Sequence, residues 1–149
     1  MSSIADFVEL VFNHYRPKRK WKTIYWLVDV HGVIIPGNWK LKNDLQFTDD
    51  SARQVLKWIS NRNDQRLILW TSSYKAATDN VRAWLSSHEI IVDYVNENPE
   101  EKNTEYADFS LKPYFNILID DKAGFNPYIH WVDIKNTLIS LEEWDDTIW

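Results

Sequence analysis

The chain has 149 residues, a length that suits one domain with its own core. It contains no cysteine, so disulfide scaffolds, thiolate zinc sites and cysteine nucleophiles are excluded, and its three glycines form no glycine-rich nucleotide-binding loop. The net charge of -5 argues against a general nucleic-acid coat but allows a local basic patch. The N-terminus does not resemble a signal peptide and no apolar run could span a bilayer, so we expect a soluble, cytoplasmic protein without membrane contact.

The N-terminal residues predict a helix, a basic connector and a strand. Ser3 can cap a helix over residues 3–15, whose apolar residues fall on one face at helical spacing. The segment from Arg16 to Lys22 is predicted to be a basic connector that proline breaks. A β-branched and aromatic run over residues 23–28 predicts a buried strand that ends at Asp29.

The rest of the chain alternates helices with short apolar strands. The further helices are predicted over residues 51–61, 74–87 and 134–144, and the further strands over residues 67–70, 90–95 and 115–119. An irregular acidic stretch is expected over residues 96–108. This alternation predicts an α/β fold, a three-layer αβα sandwich with a mainly parallel, Rossmann-like sheet, formed by a single domain over residues 1–149.

Three of the four predicted strands end in a polar residue that is able to do chemistry: Asp29, Thr71 and Asp120. In open parallel sheets, ligands bind outside the carboxyl ends of the strands, where these side chains would meet. Carboxylates are the oxygen ligands that Mg²⁺ prefers, and phosphoryl transfer needs a nucleophile together with positive charge around the phosphate. The pattern therefore indicates a metal-assisted site for phosphate chemistry.

Four motifs, in this order along the chain, resemble those of the haloacid dehalogenase-like (HAD) hydrolase superfamily. The first has Asp29 and Gly32 after a strand, the second ends at Thr71, and the last two have Lys112 and the pair Asp120 and Asp121. The resemblance covers residues 23–127, and the part from Lys112 onward is similar to small phage and bacterial members of the superfamily. It implies a HAD-like fold and a phosphatase that forms an aspartyl-phosphate intermediate.

The resemblance also implies a set of metal ligands. Asp29 would be both the nucleophile and a ligand of Mg²⁺, which Asp120 would share. The backbone carbonyl of His31 would supply a further oxygen, and Asp121 would bind the metal through water or orient Asp120.

The phosphate would be held by other residues. Thr71 would hydrogen-bond a phosphate oxygen, and Lys112 would neutralise both the phosphate and the nucleophile. Backbone N–H groups around residues 30–32 would form a cradle for the phosphate. As an alternative, Thr71 and the serines after it would only cap the following helix.

His31 is a departure from the family pattern, since the family's phosphatases usually have a second aspartate there. Histidine exchanges protons near neutral pH, so we expect His31 to serve as the general acid and base. The alternative is a catalytically weak or inactive HAD-like protein that serves as an interaction module.

The spacing of the motifs bears on substrate and partners. Neither long gap between motifs can hold a cap domain, so we expect an open site for a phosphorylated substrate such as a macromolecule, with specificity from residues 35–45 and 96–110. Trp39, Trp144 and Trp149 are predicted in loop or tail sequence, where they could cover the site by contacting a second copy or a protein partner. A nucleic-acid end-processing phosphatase that uses Arg16 to Lys22, with Tyr15 and Trp21 for stacking, is a further alternative.

Overall fold

The structure, a computed structural model, describes residues 2–37 and 45–148. The helices are α1 (Ser3–Leu10), α2 (Arg16–Arg19), α3 (Asp50–Ser60), α4 (Lys75–Ser87) and α5 (Pro127–Ser140), and the strands are β1 (Ile24–Asp29), β2 (Gln65–Trp70), β3 (Tyr94–Val95) and β4 (Ile117–Ile119). A π-helical turn, Val11–Tyr15, joins α1 to α2, and short 3-10 turns lie at Asp121–Ala123 and Asp146–Ile148. Within the described ranges, no helix is long and apolar enough to cross a membrane.

The four strands form one parallel sheet in the order β3-β2-β1-β4. The central strand β1 pairs with β2 over its whole length, from Ile24 opposite Gln65 to Asp29 opposite Trp70. Its other edge pairs with β4, where Val28 lies opposite Ile119. The predicted fold class is confirmed: the protein is a three-layer α/β sandwich with the parallel sheet as its middle layer.

Side chains alternate between the two faces of the sheet, as the pleat requires. One face carries Trp26 and Val28 into the main core, together with apolar residues of all the long helices. Three buried tryptophans, Trp26, Trp58 and Trp131, are among the largest side chains in this core. The other face carries Tyr25, Leu27 and Ile68, and aromatic residues that precede β4 pack over it.

The prediction of a connector after the first helix is wrong, because the helical path continues through the π-helical turn into α2 and ends at Arg19. Pro17 does not break it, because the π-helical turn over Val11–Tyr15 precedes it and Pro17 falls in the first turn of α2, where proline is tolerated. The chain turns only at Lys20, which adopts the left-handed conformation at φ 55°. The basic residues therefore lie at a rigid helix end.

The third strand is shorter than predicted, because only Tyr94–Val95 pairs with β2. Just before it, the carboxylate of Asp93 accepts a hydrogen bond from the Leu67 N–H at 2.8 Å, so that a side chain replaces the backbone pairing that a longer strand would supply. Ile90 is nevertheless buried in the main core, which explains the apolar run.

The last helix begins earlier and ends earlier than predicted. Asn126 caps α5 by accepting from the Tyr128 N–H at 3.1 Å, and Pro127 occupies its first turn. The helix ends at Ser140, and Glu142 follows in the left-handed conformation at φ 60°. Trp144 therefore lies outside the helix.

Trp144 is partly buried and makes contacts within the chain. Its ring stacks on Trp58, with centroids 6.3 Å apart and an interplanar angle of 11°, and it packs against the main core. The side chain thus helps to close the helical layer, and its predicted role at a partner surface stays a prediction. Trp39 and Trp149, which were expected to join it, lie outside the described residues.

Candidate metal centre

Asp29 and Asp120 meet because their strands are neighbours in register. Val28 pairs with Ile119, so the next residue on each strand, Asp29 and Asp120, lies at the same level of the sheet. Adjacent strands are about 4.8 Å apart, which brings carboxylates at such positions into contact range. With Asp121, they form a group in which one oxygen of each residue lies within 4.8 Å of the others.

The loop after β1 approaches this group closely. The carbonyl of Val30 accepts the N–H groups of Val33, Ile34 and Ile35, which folds the loop into a tight turn. Gly32 in this turn has φ +83°, and a Cβ there would lie 2.6 Å from Asp121 Oδ2. Only glycine therefore allows the Asp121 carboxylate its observed position.

Without a cation, the carboxylates of Asp29, Asp120 and Asp121 repel one another. Asp29 is half-buried, and burial, the nearby charge of Asp120 and a hydrogen bond with Asp121 together raise the pKa of Asp29 to about 7. The Val30 N–H, which donates to Asp29 Oδ1 at 2.9 Å, opposes this rise. Like charges thus disfavour the ionised form of Asp29 near neutral pH.

The donor set fits a hard divalent cation. The group offers carboxylate oxygens and no soft ligand, which is the chemistry that Mg²⁺ and Ca²⁺ take. Asp120 Oδ1 accepts the Lys122 N–H at 2.9 Å, so this side chain is already oriented by the 3-10 turn that follows it. Such second contacts fix ligand geometry in metal sites.

Thr71 lies at the same edge of the sheet. Asp29 pairs with Trp70, so Thr71 comes one residue beyond the level of Asp29 on the neighbouring strand. The alternative that these hydroxyls cap the next helix is wrong, because the cap position of α4 is Tyr74 and no side chain hydrogen-bonds there. The Thr71 hydroxyl instead accepts the Ser73 N–H at 3.1 Å.

Asn96 is a residue that sequence reasoning missed. Its side-chain amide accepts from the Thr71 N–H at 2.8 Å and donates to the Thr71 carbonyl at 2.7 Å, which clamps the backbone of Thr71 to the end of β3. Asn96 has φ 57°, and asparagine is one of the few residues that tolerate this region. An asparagine directly after a predicted strand was the available signal.

The predicted backbone cradle for phosphate is only partly available. The Val30 N–H donates to Asp29 Oδ1, and the Gly32 N–H donates to the Ile35 carbonyl at 2.7 Å. Two of the three N–H groups over residues 30–32 are therefore committed within the loop itself. His31 between them is partly buried, and its backbone forms a bridge with Ile35.

The described contacts of Lys112 lie away from the three carboxylates. It is exposed, and its Nζ lies 5.9 Å from the ring centroid of Phe115. Phe115 is two residues before Ile117, which pairs with Trp26, so this ring is level with the beginning of β1 and not with Asp29. The described contacts do not bring Lys112 to the carboxylates, and its predicted role stays a prediction.

Comparisons with known proteins show the fold alone. The chain matches no protein-family model and no curated protein. A solved structure of a conserved protein from Bacteroides thetaiotaomicron is similar, with a TM-score of 0.60 and 23% sequence identity. The similarity covers 85% of this chain and 98% of that one. The chain therefore shares its α/β architecture with a structurally known protein of comparable extent.

Proposed function

We propose that the protein is a Mg²⁺-dependent phosphohydrolase of phosphate monoesters that forms an aspartyl-phosphate on Asp29. The observation that carries the proposal is the meeting of Asp29, Asp120 and Asp121 at the carboxyl edge of the sheet. The raised pKa of Asp29 supports it, because a bound cation would offset the burial and the like charges that favour the protonated carboxyl. An ionised Asp29 is the form that a nucleophile requires.

The chain's own residues supply the remaining steps. Bound Mg²⁺ would place positive charge beside the phosphate oxygens. The Val30 N–H holds Asp29 Oδ1, so we assign the attack to Oδ2. The Asp29 oxygen bonds to phosphorus while the bond to the leaving oxygen breaks, and His31 donates a proton to that oxygen. His31 then takes a proton from water, whose oxygen bonds to phosphorus as the bond to Asp29 breaks and phosphate departs.

Thr71 is the proposed phosphate-positioning residue. Its Oγ1 acts as an acceptor toward the Ser73 N–H, which leaves the hydroxyl proton available for a phosphate oxygen. The clamp formed by Asn96 keeps this hydroxyl in place, so little entropy is lost when phosphate binds. The substrate class that we propose is a phosphate monoester, including one carried by a macromolecule.

The test is phosphate release from a panel of nucleotides, sugar phosphates, phosphopeptides and phosphorylated nucleic-acid ends, with and without Mg²⁺. We expect Mg²⁺-dependent turnover that Asp29→Asn abolishes, because the amide is no nucleophile. Asp133→Asn, which makes the same chemical change on α5, should retain activity. Mg²⁺ binding should weaken as the pH falls below about 7, where Asp29 becomes protonated.

Two further results would discriminate the alternatives. Replacing His31 by aspartate should change turnover while Mg²⁺ affinity is retained, and a large gain would mean that histidine limits the reaction. Mg²⁺ binding without turnover on any substrate, and without a trapped BeF₃⁻ adduct on Asp29, would contradict the proposed hydrolysis and favour the interaction module.

A further inference from the structure

The end of α2 and the turn that follows it carry a concentration of cations without carboxylate partners among the described residues. Lys18, Arg19, Lys20 and Lys22 are all exposed, and none of them forms an ion pair within residues 2–37 and 45–148. The preceding cation, Arg16, is different, because it is bound to Glu143 at 2.6 Å. Over residues 18–22, four of the five side chains therefore expose a positive charge that no carboxylate in the described residues neutralises.

An aromatic base supports these cations. The guanidinium of Arg19 lies 4.4 Å from the ring centroid of Tyr15 and 5.6 Å from that of Trp21. The two rings are 6.1 Å apart, and both pack against the main core. Arg19 thereby lies over a fixed aromatic surface, and its side chain remains exposed.

The backbone under this surface is rigid. The Trp21 N–H donates to the Arg16 carbonyl at 3.0 Å and the Lys20 N–H donates to the Pro17 carbonyl, which closes the helix end around the left-handed Lys20. Trp21 then leads into β1 at the centre of the sheet. The cations therefore project from a preformed turn, and a ligand that binds them orders little additional chain.

We propose that this surface, the basic platform of Tyr15, Lys18, Arg19, Lys20, Trp21 and Lys22, binds single-stranded nucleic acid. The lysines would contact successive phosphates, and a base would stack on the exposed face of Arg19 or on the edge of the ring pair. In a duplex, the bases are stacked inside the double helix, so a duplex would contact only the lysines of the platform through its phosphates.

Two observations favour a nucleic acid over an anionic membrane. Stable attachment of a basic surface to a membrane is strengthened by apolar side chains that insert between lipids. On the platform, the exposed residues are cationic, while Tyr15 and Trp21 are partly buried against the core and do not project as apolar side chains. A strand of phosphates and bases matches cations that rest on aromatic rings, whereas a lipid surface matches only the cations.

The platform is independent of the proposed phosphatase site. It precedes the amino end of β1, and Asp29 follows at the carboxyl end, so the two are separated by about 20 Å at roughly 3.3 Å per strand residue. The whole chain has a net charge of -5, so nucleic acid would be repelled elsewhere and confined to the platform. Binding of nucleic acid to the platform therefore does not depend on whether Asp29 catalyses hydrolysis.

The test is binding of a fluorescent single-stranded oligonucleotide, measured by anisotropy with the full chain. If about three phosphates are neutralised, affinity should fall roughly 20-fold between 50 and 200 mM salt. The triple variant Lys18→Ala, Lys20→Ala, Lys22→Ala should weaken binding at least about 10-fold. The control triple Lys75→Ala, Lys102→Ala, Lys135→Ala removes the same charge elsewhere and should change affinity less than about threefold.

A second variant tests the stacking surface. Arg19→Lys keeps the charge but removes the planar group, so it should weaken binding of the single strand several-fold and leave binding of a duplex of equal length unchanged. Asp29→Asn should leave both affinities unchanged. Equal losses in the two triple variants, tighter binding to duplex than to single strand, or binding only to anionic lipid vesicles would overturn the proposal.

Discussion

Gly32 controls the geometry of the acidic group at the scale of single atoms. Its positive φ gives the turn after β1, and its missing Cβ leaves room for Asp121 Oδ2. The sequence places Gly32 in the first motif after a strand, but a pattern cannot indicate that a carboxylate from a segment almost 90 positions away rests against it. That contact depends on the register between β1 and β4, which brings Asp120 and Asp121 beside the loop.

Replacing Gly32 by alanine should therefore cost more than the same change at Gly124. Both glycines have positive φ, for which a Cβ costs about 1–2 kcal/mol, but only Gly32 would meet another side chain. We expect Gly32→Ala to lower the free energy of unfolding by about 2–4 kcal/mol, against about 1–2 kcal/mol for Gly124→Ala. Urea denaturation measures both.

The close contact with Asp121 can be separated from the backbone effect. In a double-mutant cycle, Asp121→Ala should recover part of the loss in Gly32→Ala, since the clash disappears while the backbone strain remains. A Gly32→Ala variant no less stable than Gly124→Ala would mean that the carboxylate moves aside at little cost.

At the scale of elements, side-chain hydrogen bonds hold the irregular segment between β3 and β4 to the rest of the sandwich. Glu100 accepts hydrogen bonds from the Tyr94 hydroxyl at 2.5 Å and from Arg66 Nε at 2.9 Å. The bond to Glu100 raises the pKa of Tyr94 to about 12. Asn98 adds a bond to the Tyr114 carbonyl at 3.0 Å. Side chains here replace the backbone pairing that a helix would supply.

Glu100→Gln should loosen this segment. Burial raises the pKa of Glu100, but the hydrogen bonds from Tyr94 and Arg66 outweigh it and leave the pKa below its ordinary value. The ionised group therefore stabilises the fold at neutral pH, and this contribution is lost as the pH falls through the lowered pKa. We expect a loss of about 1–2 kcal/mol at pH 7 that shrinks toward pH 3.

The control for this prediction is Glu97→Gln, the same change in an exposed residue of the same segment. Thermal unfolding of both variants at pH 7 and at acidic pH measures the difference. Equal stability of the two variants at pH 7 would show that Glu100 does not anchor the segment.

At the scale of the whole molecule, the two ends of the described chain are joined through one carboxylate. Glu143 binds Arg16 at 2.6 Å and Arg62 at 3.1 Å. These ion pairs connect the segment after α5 with α2 and with the loop after α3. Its backbone carbonyl also accepts from Trp58 Nε1 at 2.8 Å. Together with the stacking of Trp144 on Trp58, these contacts close the helical layer over the sheet.

Glu143→Gln should destabilise the protein by about 1–2 kcal/mol, because both ion pairs are partly shielded from solvent. High salt should reduce the difference from the unchanged protein, since it screens the charges. Glu142→Gln, an exposed neighbour, serves as the control and should change stability by less than about 0.5 kcal/mol. Chemical denaturation with urea at two salt concentrations measures both variants.

The sequence alone determined the parts of the fold that depend on local patterns. The runs around Trp26 and Ile68 predicted the two central strands, because β-branched and aromatic residues without glycine or proline favour a buried strand whatever surrounds them. The beginning of α5 was missed because Tyr128 and Ile129 are exposed in its first turns. These two residues interrupt the helical spacing of the buried apolar residues. Asn126 and Pro127 were the available signal for the beginning of this helix.

Tertiary structure decided the contacts between segments that are distant in the sequence. Strand order and register brought Asp29 and Asp120 together, as the sequence had led us to expect, because both simply follow the ends of neighbouring parallel strands. The place of Lys112 and the burial of Trp144 were not predictable, since each depends on how an irregular segment crosses the sheet or folds back after a helix. Local sequence specifies which residues end a strand, whereas packing between distant segments specifies what lies beside them.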